Sequence, residues 1–126
     1  MKSTAQVFIN FSNHNYNNWS NEQKKATEIY GQVIDMDFPR VSPHFNETII
    51  AEMAENYSEQ IKSHYPTAVL CQGEMTLAFA VIRRLQEHGV KVIAACSERN
   101  TEEAIDENGN CVKTTKFKFV RFREYV

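Results

Sequence analysis

The sequence predicts an α/β fold: a Rossmann-like three-layer sandwich whose mainly parallel sheet gains an antiparallel strand or hairpin at its C-terminal end. Three observations carry this. Short apolar runs alternate with longer helical patterns, the arrangement of right-handed βαβ units. An Asn-Gly pair, Asn108-Gly109, sits between two extended stretches near the end, where a tight hairpin turn is favoured. Polar residues gather where the apolar runs stop, as in open parallel sheets that bind ligands beyond their strand ends.

Taken in order, Gln6 to Phe11 is β-prone and forms the first strand, ending in the polar stretch Ser12 to Asn18. Ser20 with Gln23 three residues on reads as a capping box for a helix that ends at Gly31. Val33 to Phe38 alternates and stops at Pro39, giving a second strand with Asp35 and Asp37 on one face. Asn46 caps a second helix, with Ile49, Met53, Tyr57 and Ile61 recurring every four residues as its apolar stripe. Ala68 to Cys71 is the third strand. Gln72-Gly73-Glu74 turns the chain into a third helix striped by Leu77, Val81 and Leu85 and ended by Gly89. Val90 to Cys96 is the fourth strand. Lys113 to Tyr125 is a long final one, in which Phe117 and Phe119 share one face while Val120 and Phe122 share the other. That change of phase implies a bulge or a strand buried on both faces.

The 126 residues, 42% of them hydrophobic, suit one domain spanning 1–126. No apolar run approaches the roughly 20 residues that cross a bilayer. The start, Met1 to Gln6, carries no leader-like pattern, so a cytoplasmic protein without membrane attachment is expected. Cys71, Cys96 and Cys111 are odd in number and lack Cys/His spacing, which argues against zinc, other metals and a disulfide framework. No cofactor is expected. A formal charge of −2 argues against long nucleic acid and for a small ligand held in a pocket.

The candidate site gathers from three strand ends: Asn10, Ser12, Asn13 and His14 from the first, Gln72, Gly73, Glu74 and Thr76 from the third, and Ser97, Glu98 and Arg99 from the fourth. Gly73 opens a strand-to-helix turn that lets a ligand approach backbone, and the helix start favours phosphate. Glu74 is either a proton carrier there or a carboxylate on the helix dipole. Arg99 is either a phosphate clamp or a surface ion-pair partner of Glu98, Glu102 or Glu103. His14 is either an acid-base group or a solvated loop residue. Trp19 reads as packing rather than as a stacking platform. Asp35 and Asp37 fit a solvated edge strand better than a metal or ribose site. Arg121 and Arg123 stand open between phosphate contact and ordinary surface.

The stretches Val7-Phe-Ile-Asn-Phe-Ser-Asn13, Val69-Leu-Cys-Gln-Gly-Glu-Met-Thr76 and Val92-Ile-Ala-Ala-Cys-Ser-Glu-Arg99 resemble the CARF (CRISPR-associated Rossmann fold) pattern. The compact length is similar to that of small accessory proteins of type III CRISPR systems, ring nucleases among them. The Gly-Gly-Thr-Lys type of turn is replaced by Gln72-Gly73-Glu74-Met75-Thr76, without its lysine. The resemblance implies an antiviral-defence homodimer that binds a cyclic oligoadenylate across its two-fold axis, with the Gln72–Thr76 turns facing each other. It implies metal-independent cleavage by ribose 2′-OH attack, with Asn13 and Gln72 positioning, Glu74 or His14 moving protons and Arg99 stabilising charge. Two rivals stand beside it: a nucleotide N-glycosidase or deoxyribosyltransferase-like enzyme with Glu74 as nucleophile, and a protein that only sequesters the nucleotide.

Overall fold

The computed structural model describes residues 5–126. The start of the leaderless N-terminal reading, Met1 to Thr4, lies outside the described residues. Among the described residues five strands form one sheet: β1 (Val7–Ser12), β2 (Gln32–Asp37), β3 (Ala68–Cys71), β4 (Val92–Ile105) and β5 (Cys111–Glu124). Their order is β2-β1-β3-β4-β5, parallel through β4, with β5 antiparallel at the edge. The fold is therefore α/β with a mixed, mostly parallel sheet of Rossmann-like layout. Strand order reverses between β1 and β3, where doubly wound sheets open a crevice.

Alternation along β1 splits the core in two. Ile9 and Phe11 face α2 (Glu47–Lys62) and α3 (Met75–Glu87) and pack with Val69, Leu77, Val81 and Leu85, all fully buried. Phe8 faces the other side with Leu70, Ile93 and Trp19, the side served by the short α1 (Asn21–Ala26). Both predicted caps form: the Ser20 and Asn46 side chains accept from the Gln23 and Ile49 amides.

Three expectations are corrected. The α2 stripe holds at Met53, Tyr57 and Ile61, which pack against the core, but Ile49 is exposed, and Ala54 and Ser58 join the buried face. Ala54 and Ser58 are small enough for α2 and α3 to pack closely, and small residues leave no mark in a hydrophobic pattern. The first helix is a single short element of six residues rather than a long one. The fourth strand does not stop at Cys96. It runs unbroken to Ile105, so Ser97, Glu98 and Arg99 lie mid-strand. From Ser97 onward β5 pairs with it residue for residue out to the turn, which carries the strand past the body.

The phase change in β5 is a bulge. Ser97 pairs with Phe119 and Cys96 with Arg121, leaving Val120 as the extra residue. It returns Phe122 to the face of Phe119, and the two rings meet edge-on with centroids 5.0 Å apart. Among the described residues no helix is long and apolar enough to cross a membrane.

Candidate functional site

Beyond the C-terminal ends of β1 and β3, beside β4, the sheet opens into a cavity of about 640 Å³. Its first wall is the loop after β1, and a buried polar network builds that loop. Asn10 is 1% exposed, and its Nδ2 donates to the His14 carbonyl and to Asp35 Oδ1, both at 2.8 Å. Ser12 Oγ donates to Asn10 Oδ1 at 2.7 Å, and the His14 amide donates to Ser12 Oγ at 3.2 Å. Trp19 Nε1 donates to the same His14 carbonyl at 3.0 Å, and Asp35 Oδ1 also accepts from the Tyr16 amide. Among the described residues no buried side-chain polar atom lacks a partner. Asn10 is thus a scaffold residue, and Asp35 anchors a loop. The network holds the His14 backbone at both its N–H and its carbonyl while the side chains of Asn13 and His14 stay exposed on the cavity wall.

The second wall is the turn after β3. β3 pairs with β4 only through Val69↔Val92 and Leu70↔Ile93, and Gln72 continues that pairing with its side chain, its Oε1 accepting from the Ala95 amide at 2.8 Å. Gly73 lines the cavity, yet its lack of a side chain has a different cause from ligand approach. A Cβ there would lie 2.5 Å from the Phe38 ring.

Glu74 is the N-cap of α3. Its carboxylate accepts from the Thr76 and Leu77 amides at 3.0 and 2.9 Å and from the Thr76 hydroxyl at 2.7 Å. The Leu77 amide first, then the Thr76 hydroxyl and amide, hold its carboxyl below the usual value. Glu74 and Thr76 therefore satisfy one another and the helix, and neither lines the cavity.

The third wall comes from β4 and β5: Ala95, Ser97, Phe117 and Phe119. Directly paired residues share a face, so Arg99, opposite Phe117, sits on the cavity side just beyond its edge. Glu98, opposite Lys118, turns to the other face. Arg121 and Arg123 alternate with Phe122 and point away from the cavity. The structure thus brings together Ser12, Asn13, His14, Gln72, Gly73 and Ser97. It leaves out Asn10, Glu74, Thr76, Glu98 and Arg99.

Sequence reasoning missed Asn18, Gln23, Phe117 and Phe119, and Trp19 both packs against Phe8 and lines the cavity. The signal for the phenylalanines was the Lys116-Phe117-Lys118-Phe119 alternation, which marks one apolar and one solvated strand face.

The chemistry of these walls is narrow. They offer carboxamides from Asn13, Asn18, Gln23 and Gln72, hydroxyls from Ser12, Ser20 and Ser97, and three aromatic rings. Among the described residues no Asp, Glu, Lys or Arg lines them, and His14 is the one acid-base side chain. Such a site hydrogen-bonds and stacks on a planar polar ligand; it holds no carboxylate nucleophile. The Cys71 thiol nearby is buried, which pushes it up to about 12, so it supplies no nucleophile either.

No curated protein sequence matches the chain. Residues 6–123 match the model of the Uncharacterized protein MJ1673 family, and the chain belongs to that family.

Proposed function

We propose that the cavity binds a small oligonucleotide second messenger, of the cyclic oligoadenylate class that the CARF resemblance implies, through its bases. One observation carries the reading: the walls combine carboxamides and hydroxyls with three aromatic rings and contain no carboxylate. Carboxamides read the edges of bases, and rings stack on their faces. The family description names no ligand, so the proposal rests on the cavity. It also disfavours the N-glycosidase rival, whose nucleophile would have to be Glu74, a carboxylate committed to its own helix.

Titration calorimetry with cyclic tri-, tetra- and hexa-adenylate, against adenosine monophosphate, tests this. Binding of one ring size is expected, and Phe117→Ala should weaken it by about 1–3 kcal/mol, the contribution of one stacked base. Absence of binding by every cyclic oligoadenylate would overturn the reading.

His14 supports a second reading, in which the bound ring is also cleaved without metal by its own 2′-OH. Its backbone is pinned at both ends, so the exposed imidazole hangs from a fixed point on the wall. Chromatography of ligand incubated with the protein distinguishes the outcomes. A linear product lost in His14→Ala supports cleavage, unchanged ligand supports sequestration, and free adenine points back to a glycosidase.

A further inference from the structure

Beyond the bulge, β4 and β5 leave the body as a two-stranded ribbon. Its ladder runs from Ser97↔Phe119 to Ile105↔Cys111, roughly 27 Å at about 3.4 Å per residue. Every residue from Ser97 to Lys118 is exposed. An isolated two-stranded hairpin is marginally stable in water, and the two faces of this one differ. One face carries Glu98, Glu102, Lys116 and Lys118 and suits solvent. The other continues the cavity side and presents Phe117, 71% exposed, and Ile105, 78% exposed.

The order of residues on that second face is its own complement. β4 presents Arg99, Thr101 and Glu103; opposite them β5 presents Phe117, Thr115 and Lys113. A two-fold axis through the central Thr101–Thr115 pair exchanges position 99 with 103 and position 117 with 113. Two ribbons stacked on this face, running in opposite directions, therefore set Arg99 against Glu103 of the partner subunit, twice. The same rotation sets Lys113 over the partner's Phe117, a cation–π arrangement. Arg99 makes no ion pair within its own chain among the described residues, and Glu103 has only Lys113, at 3.5 Å.

Other ways of covering the ribbon fit less well. Joining β5 edge to edge with a second β5 lines up Lys113, Lys116, Lys118 and Arg121 against the same cations, a row that guards an edge. Stacking the ribbons base to base drives α1, which packs on β5 from that same side, into the α1 of the other copy. From this charge complementarity we infer that the ribbon is a dimerisation arm whose occupant is a second copy of this chain. The two-fold axis then lies at Thr101 and Thr115, not at the Gln72–Thr76 turns. Each tip reaches the other copy's cavity mouth, with Ile105 and Cys111 of the partner subunit beside Ser97 and Phe119; this last step rests on the cavity being the ligand site.

Sedimentation of the ligand-free protein at tens of micromolar should show a dimer. Arg99→Glu and Glu103→Arg, each alone, confront like charges at every such contact and should weaken dimerisation at least about tenfold. Mixed in equal amounts, the two variants restore opposite charges at both contacts and should recover a dimer near wild-type affinity. Within one chain the two positions lie about 14 Å apart along the strand, so the recovery has no intrachain route. Unchanged far-ultraviolet circular dichroism confirms that each variant is folded. A monomeric wild type, single variants that dimerise as well as wild type, or a mixture that stays monomeric would each overturn the inference. None of these measurements involves a nucleotide, so a failed ligand screen and a failed dimer test are told apart.

Discussion

β4 is two strands in one. Val92 and Ile93 at its start are 1% exposed, whereas everything from Ser97 to Ile105 is open to water, and the ladder continues through both. In the body, side chains from two helical layers hold the strands together. In the ribbon, backbone pairing to β5 does so almost alone, closed by the turn in which Asp106 Oδ1 accepts from the Asn108 and Asn110 amides. Pairing and burial are therefore separable: the partner strand and the turn set a strand's length, while burial sets its contribution to stability.

The contrast breaks most visibly under matched truncations. Leu77, fully buried between α3 and the sheet, should lose about 2–5 kcal/mol on change to Ala, read from a shifted denaturation midpoint. A loss well under 1 kcal/mol would mean that the body is not where stability resides. Gly73→Ala comes next. Its new methyl meets the Phe38 ring and should cost about 1–3 kcal/mol by overpacking, seen as a lower melting temperature.

Glu74→Gln follows, with a dependence on pH. The folded carboxyl titrates below its ordinary value of 4.5, so its contribution is complete above that value and disappears as pH falls through the lowered one. The variant should be less stable by about 0.3–1 kcal/mol at pH 7, a gap that closes as the medium becomes acidic enough to protonate the folded carboxyl. Ligand binding should not change; a large loss of binding would return Glu74 to the site. Smallest is Phe117→Ala on the ribbon, expected within about 0.5 kcal/mol of wild-type stability despite its cost to the cavity.

Where local rules decide structure, the residues could be read directly. Ser20 and Asn46 cap their helices, Leu77, Val81 and Leu85 face inward, and Asn108-Gly109 turns the hairpin. The cavity was half legible, because Asn13, His14 and Gln72 follow strands and strand ends are visible as changes in polarity. Asn10 and Glu74 were misjudged for one shared reason. Each looked like a free polar group at a ligand edge, and each is saturated by partners that only the folded chain brings close. Phe117 and Phe119 reach the cavity because β5 folds back beside β4, a pairing remote in sequence.

The bulge at Val120 has a consequence for how this protein varies. Leave Val120 out, and Lys116 to Arg123 reads as unbroken alternation of cation and phenylalanine. Deleting that one residue would keep every ring on the cavity side and every cation on the other, while removing the kink that aims the ribbon. The direction in which the ribbon points and the chemistry it presents are thus governed by different positions. A single insertion or deletion re-aims it without rewriting either face.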